Sequence, residues 1–395
     1  MRTHSLLAFL LLVVCGQSSM ALAASFGSLN DEIERTAEVV KSALKDASDI
    51  KVMEFTDLSQ NKHSGSVGPG LKASFADVLK KKGIVHNDNA AHILTGEYFV
   101  NDIESLKNGE PLQLEIKLGV KNRKGQKLVE ILPIDAAADA AHFGKVTATN
   151  DIAKAFGVHG TIRSDRDAEQ KGDNVPTKEE RKADMGQRVL NPQGFVSGTR
   201  IRSDAQSPYE VEILAQPVSA KGQPAARKPR LQDGLPFVDL AQNDLYEVRI
   251  HNNSKLEVAV TLSVDGLDAF YFADAQHRKD DGTPSFTNFI IKPNDNLTIP
   301  GWFQKLKPPD NYLSFLVAEH GKGAISKAGI SSRVQVGVIH LQFSNCRSLE
   351  GSKSGGRTGK ETGFGPPKSV EQKSVRYETD PPHCFISIRY DHPQK

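Results

Sequence analysis

Hydrophobic positions change period along this chain. Between Leu29 and Leu44 they recur as Leu29, Ile33, Val40 and Leu44, one stripe of a helix with Asn30 as its expected N-cap. DIKVMEFTD, Asp49 to Asp57, reads as a short strand, and HSGSVGPG as a loop. GLKASFADVLKKKG sets Leu71, Phe75, Val78 and Leu79 at helical spacing and stops at Gly83. A strand is expected near Ile93 to Val100. In PLQLEIKLGV, Leu112, Leu114, Ile116, Leu118 and Val120 alternate with Gln113, Glu115 and Lys117, the signature of a half-buried strand. KNRKGQK makes a hairpin turn, LVEILPI returns, and a helix NDIAKAF, capped by Thr149 or Asn150, ends at Gly157. This order predicts an α+β domain over residues 29–158, with helices on one face of a mostly antiparallel sheet.

The pattern then disappears. Residues 159–193, with RSDRDAEQKGDNVPTKEERKADMGQR at their centre, are charged and without apolar period, and read as a flexible linker with at most a transient helix at TKEERKADM. From 194 to 392 the period falls to two. FVSGTRIRSD, SPYEVEILAQ, DLYEVRIHNN, LEVAVTLSVDG, FTNFIIKP, RVQVGVIHLQF and CFISIRY are separated by Asn, Asp, Gly, Ser and Pro, the cadence of a β-sandwich, with a glycine-rich loop at 350–367. In DLYEVRIHNN, Tyr246, Val248 and Ile250 share one face, and His251 falls on the polar face as a solvated turn-edge residue. Asp265-Gly266 is a turn signal.

The N-terminus changes the context. One Arg, an apolar run from Leu6 to Cys15 and Ala21-Leu22-Ala23 describe a secretory signal peptide over residues 1–23, too short to span a membrane. Val14 stands where a lipobox wants a small residue, which argues against lipid anchoring at Cys15. A secreted or periplasmic protein without a transmembrane segment is expected. Beyond that segment only Cys346 and Cys384 remain, and two cysteines in an exported chain favour one disulfide closing a loop of roughly forty residues, a contribution on the order of 3–4 kcal/mol. Fifty basic and 48 acidic residues give a formal net charge of +2, without the footprint of a nucleic-acid binder.

Templates for chemistry find little. HSGSVGPG lacks the spacing of a phosphate loop, and Gly359-Lys360 lacks a strand-to-helix context. Asp265, Asp268 and Asp274 lack the EF-hand pattern, no H-E-x-x-H or C-x-x-C occurs, and G-x-S-x-G is missing. Ser42-Ala43-Leu44-Lys45 fits S-x-x-K inside an amphipathic helix, without companion motifs. No catalytic residue, metal or cofactor is therefore expected. The residues set aside for a weak ligand face are Asp268, Tyr271, Trp302 and Phe303; for Trp302, a core anchor or a binding-face aromatic, partial burial is favoured.

The strand KV-x-EF-T-D, the glycine-bearing loop, the helix ending in KKKG and the strand ILTGEY together resemble the small periplasmic αβ domain of bacterial envelope proteins. The TolB N-terminal domain, the curli-secretion lipoprotein and activators of penicillin-binding proteins are examples. Residues 195–390 resemble an uncharacterised β-rich module of bacterial exported proteins. These resemblances imply an exported, non-catalytic binding or assembly module in the cell envelope, with a protein or envelope component as partner. The alternative is a carbohydrate- or cell-wall-binding module, with or without weak hydrolase activity.

Overall fold

A computed structural model describes residues 29–45, 47–59, 67–100, 114–131, 145–146, 157–232, 234–307, 311–319, 322–324, 337–348 and 374–390. The signal segment, the helix expected at 150–156 and the glycine-rich loop 350–367 lie outside them.

The first unit runs α1 (Leu29–Leu44), β1 (Asp49–Val52), β2 (Thr56–Asp57), α2 (Val67–Lys81), β3 (Val85–His86), β4 (His92–Val100), β5 (Leu114–Asn122), β6 (Lys127–Ile131) and β7 (Lys145–Val146). The sheet order is β3-β1-β4-β5-β6, with β2 on β4 and β7 on β5. The alternation in β5 is as expected: Leu114, Ile116, Leu118 and Val120 are buried, in one core with Ile33, Val40, Leu71 and Phe75 of the helices. The sheet is mixed, whereas a mostly antiparallel one was expected. Both β1 and β2 run parallel to β4, and β1 runs parallel to β3. Parallel neighbours need a crossover, and α2 is that crossover.

Two further expectations fail in the same place. The single strand Asp49–Asp57 is broken because Phe55 turns inward to stack on Phe75, with ring centroids 5.3 Å apart. Gly96 makes the room: a Cβ there would fall 2.2 Å from the Phe55 ring. The segment VGPG, expected as loop, is the first turn of α2. Gly68 lets that turn approach so closely that a Cβ would lie 2.4 Å from the Phe55 carbonyl oxygen. Pro69 is tolerated there because first-turn N–H groups have no helical acceptor.

Residues 159–193 are structured, which corrects the linker expectation. β8 (Gly160–Thr161) is followed by α3 (Asp165–Lys171) and α4 (Lys178–Leu190). Ser164 caps α3, which ends on Gly172 at φ 72°. Thr177 and Glu180 form a reciprocal capping box at the start of α4, with bonds of 3.2 and 2.6 Å. Few apolar residues sufficed because they are shared: Val158, Ile162, Val189 and Leu190 complete the first core.

The C-terminal unit holds β9 (Phe195–Ser197), β10 (Arg200–Arg202), β11 (Tyr209–Pro217), β12 (Ala225–Ala226), β13 (Arg230–Gln232), β14 (Leu235–Phe237), β15 (Asp244–Asn252) and β16 (Val258–Val264). It continues with β17 (Leu267–Asp268), β18 (Phe289–Ile291), β19 (Asp295–Ile299), β20 (Gly301–Phe303), β21 (Tyr312–Ser314), β22 (Val338–Ser348), β23 (Tyr377–Thr379) and β24 (Cys384–Arg389). One sheet is ordered β19-β15-β11-β10-β9 and the other β13-β14-β24-β22-β16-β17; neither closes. Val211, Ile213, Val248 and Ile250 of the first meet Val260, Leu262, Leu341 and Ile386 of the second in one core. The molecule is thus α+β, with strand-rich mixed sheets.

Strand β24 serves both units. Cys384, Ile386 and Ile388 face the second core, while Phe385 belongs to the first. β8 pairs with it across Thr161 and Gly160. The expected disulfide is absent: Cys346 and Cys384 are free and buried. Cys384 lies opposite Phe343, three residues from Cys346 along β22. That offset is about 10 Å of strand and reverses the face, which puts the pair beyond the ~4.4–6.8 Å Cα separation of a disulfide.

Candidate functional site

Among the described residues, a dense cluster of ionisable side chains lies on the outer face of the β19-β15-β11-β10-β9 sheet. Alternation in β15 turns Leu245, Glu247, Arg249 and His251 outward. Register then sets Glu212 opposite Arg249 and Glu210 opposite His251 on β11, and Thr298 and Asn296 beside them on β19. Ile201 pairs with Val211, so Arg200 and Arg202 flank the same two glutamates from β10. Two polar rows therefore cross four strands.

Every charge in the rows is engaged. Arg200 Nη1 donates to Glu210 Oε2 at 2.6 Å, and Arg202 Nε to Glu210 Oε1 at 2.7 Å. Thr199 Oγ1 donates to Glu212 Oε1 at 2.6 Å, and His251 Nε2 lies 3.0 Å from Glu212 Oε2. Arg200 Nε stands 3.3 Å from Glu212, Arg249 Nη1 stands 3.8 Å from it, and Arg249 Nε donates to Thr298 at 3.3 Å. Burial alone would push Glu212 up, but the Thr199 and His251 bonds and the Arg200 charge outweigh it and hold the group below the usual carboxylate range. Glu210 is held down in the same way by Arg202, Asn253 and Arg200. Burial lowers His251 more than Glu212 raises it, so its imidazole is neutral at neutral pH and donates from Nε2. The expected solvated histidine is thus a half-buried partner of a carboxylate. A shallow open depression lined by Gln216, Pro224, Leu245, Glu247, Pro300 and Ser314 adjoins the rows.

The residues named for a ligand face separate. Trp302 and Phe303 are buried, at 1% and 0% exposure. Trp302 packs edge-on against Phe272 and Phe315, and Phe303 against Phe270 and Phe286. Core packing of β20 buries both: Trp302 is buried further than the partial burial expected of it, and Phe303 is withdrawn from the ligand face. Tyr271 is half-buried, lying under the Arg278 guanidinium at 6.0 Å, and Asp268 accepts from the Phe270 N–H at 2.8 Å. Asp265, at φ 53°, accepts from the Gly337 N–H and the Tyr390 hydroxyl and fastens a turn. Among the described residues no three His, Cys, Asp or Glu side chains gather as metal ligands. Several basic side chains elsewhere are paired too: Lys82 with Glu34 and Glu38, Arg227 with Asp244, Arg230 with Asp239.

A buried Ser–His contact that sequence reading missed sits where β24 meets the first unit. Ser387 Oγ lies 2.8 Å from His340 Nδ1 and donates to the Val158 carbonyl at 2.8 Å. With its hydrogen spent there, the serine accepts from Nδ1–H, so His340 cannot act as its base. His159, fully buried, bridges Ser387 and the Arg202 carbonyl. Burial also pushes both thiols, Cys346 and Cys384, up to about 12, which keeps them protonated and unreactive. Compared with known proteins, the chain matches no family model, no curated protein and no solved structure.

Proposed function

We propose that the chain is an exported, non-catalytic binding or assembly module of the cell envelope, built as an envelope-type αβ unit joined to a β-sandwich. The observation that carries this reading is the outer face of the β19-β15-β11-β10-β9 sheet, where two ordered rows of charge lie across four strands. Such a surface suits docking: its carboxylates are spent on fixed ion pairs, and it offers area and directional donors. The signal segment and the arrangement of helices and strands in residues 29–158 support the envelope setting. The glycan-binding alternative rested on four residues, of which Asp268 and Tyr271 remain half-buried.

The test is cross-linking capture from envelope extract with the whole mature chain as bait. Separate halves are unsuitable, because Phe385 and residues 158–190 serve the first core. Recovery of one saturable protein partner is the expected result. Turnover of a glycan, ester or peptide that is lost on a single point substitution would overturn it.

A further inference from the structure

We infer that the polar face formed by β10, β11, β15 and β19 docks an extended, carboxylate-rich segment of a partner protein. The inference rests on the binding-module reading above and supplies the chemistry of what is bound.

The charges of this face are layered. The side chains of Glu210 and Glu212 are 7% exposed, whereas those of Arg200, Arg202 and Arg249 are 36, 30 and 38% exposed. An approaching partner meets guanidinium groups, with their counter-charges underneath. Each guanidinium has five N–H donors. Among the described residues Arg249 hydrogen-bonds through Nε alone, to Thr298, and Arg200 through Nη1, to Glu210. With the Arg200 Nε and Arg249 Nη1 contacts to Glu212 also counted, each guanidinium keeps its Nη2 amino group without a hydrogen bond among the described residues.

The buried glutamates, held ionised, also keep the arginines in place, so binding loses less side-chain freedom than with mobile surface lysines. Guanidinium matches carboxylate in a two-point fork, which suits Arg over a diffuse positive field. Arg200 and Arg249 arise from strands on either side of β11, about 10 Å apart. Alternate residues of an extended chain project to one side about 7 Å apart, within reach for glutamate side chains. A protein segment is favoured over a nucleic acid because two guanidinium forks about 10 Å apart match discrete carboxylates, whereas a phosphate backbone needs an unbroken basic stripe. The shallow depression beside Arg249 sets Pro224, Leu245 and Pro300 against such a segment.

The experiment is fluorescence anisotropy on the whole mature chain, with a labelled peptide of alternating glutamate and serine as probe. A lysine–serine peptide and a single-stranded oligonucleotide of equal length serve as competitors. The acidic peptide should bind, weaken as salt is raised, and lose about tenfold in affinity in the Arg200→Gln/Arg249→Gln variant. Asn296→Glu, at an exposed position in the neighbouring row beside His251, adds repulsion without removing an ion pair and should weaken binding even if the double variant fails to fold. Absence of binding, indifference to Asn296→Glu, or preference for the oligonucleotide overturns the inference. Continued capture of an envelope protein by the Asn296→Glu chain at unchanged affinity also overturns this surface, and leaves the binding-module reading standing.

Discussion

His159 Nε2 donates to the carbonyl oxygen of Arg202 across 2.7 Å, and the same ring offers Nδ1 to the Ser387 N–H at 3.3 Å. One imidazole thus replaces a missing backbone partner on β24 and ties it to β10. Both contacted groups are buried backbone, so the ring satisfies atoms that water cannot reach. His159→Ala should destabilise the chain by about 2–4 kcal/mol, the scale of unsatisfied buried groups plus lost packing. Urea unfolding checks it; a change within error would show that another group takes over.

The pH dependence of stability follows from three histidines. Burial lowers His159, His251 and His383 below their unfolded value near 6.5. The unfolded chain therefore binds protons first on acidification. Stability is full above about pH 6.5 and is lost as pH falls below it. The melting temperature should drop between neutral pH and pH 5, and less steeply in a folded His159→Gln variant. A flat profile over that range would refute the assignment.

Gly96 and Phe55 form a matched pair. Gly96→Ala forces a methyl into the ring and should cost about 1–3 kcal/mol. Combined with Phe55→Leu, the penalties should be less than additive, since the smaller side chain vacates the space. A double-mutant cycle in denaturant reads this out directly.

Cys346 and Cys384 should remain unreactive to a thiol reagent in the folded protein. On denaturation without reductant, two thiols per mature chain should appear. Finding none would restore the disulfide.

Trp302 should emit as a buried indole and shift only on unfolding, because its ring is enclosed by Phe272 and Phe315. Titration with cell-wall glycans should leave its spectrum unchanged. A saturable shift would revive the carbohydrate reading.

Period and punctuation determined the local elements. The 3.6-residue stripe of α1 and the two-residue alternation in β5 and β15 were legible because each buries a single face, and one face is what hydrophobic periodicity encodes. The capping box at Thr177 and Glu180 was also written in the chain, but a helix so poor in apolar residues is stable only when a neighbour lends it a core. The tertiary structure decided the remainder. Register, which depends on pairing between distant segments, placed Cys384 away from Cys346 and brought Arg200, Glu212 and His251 together. Burial of Trp302, the inward turn of Phe55 over Gly96, and the use of both faces of β24 depend on what lies across a contact. Nothing in the local order of residues specifies that.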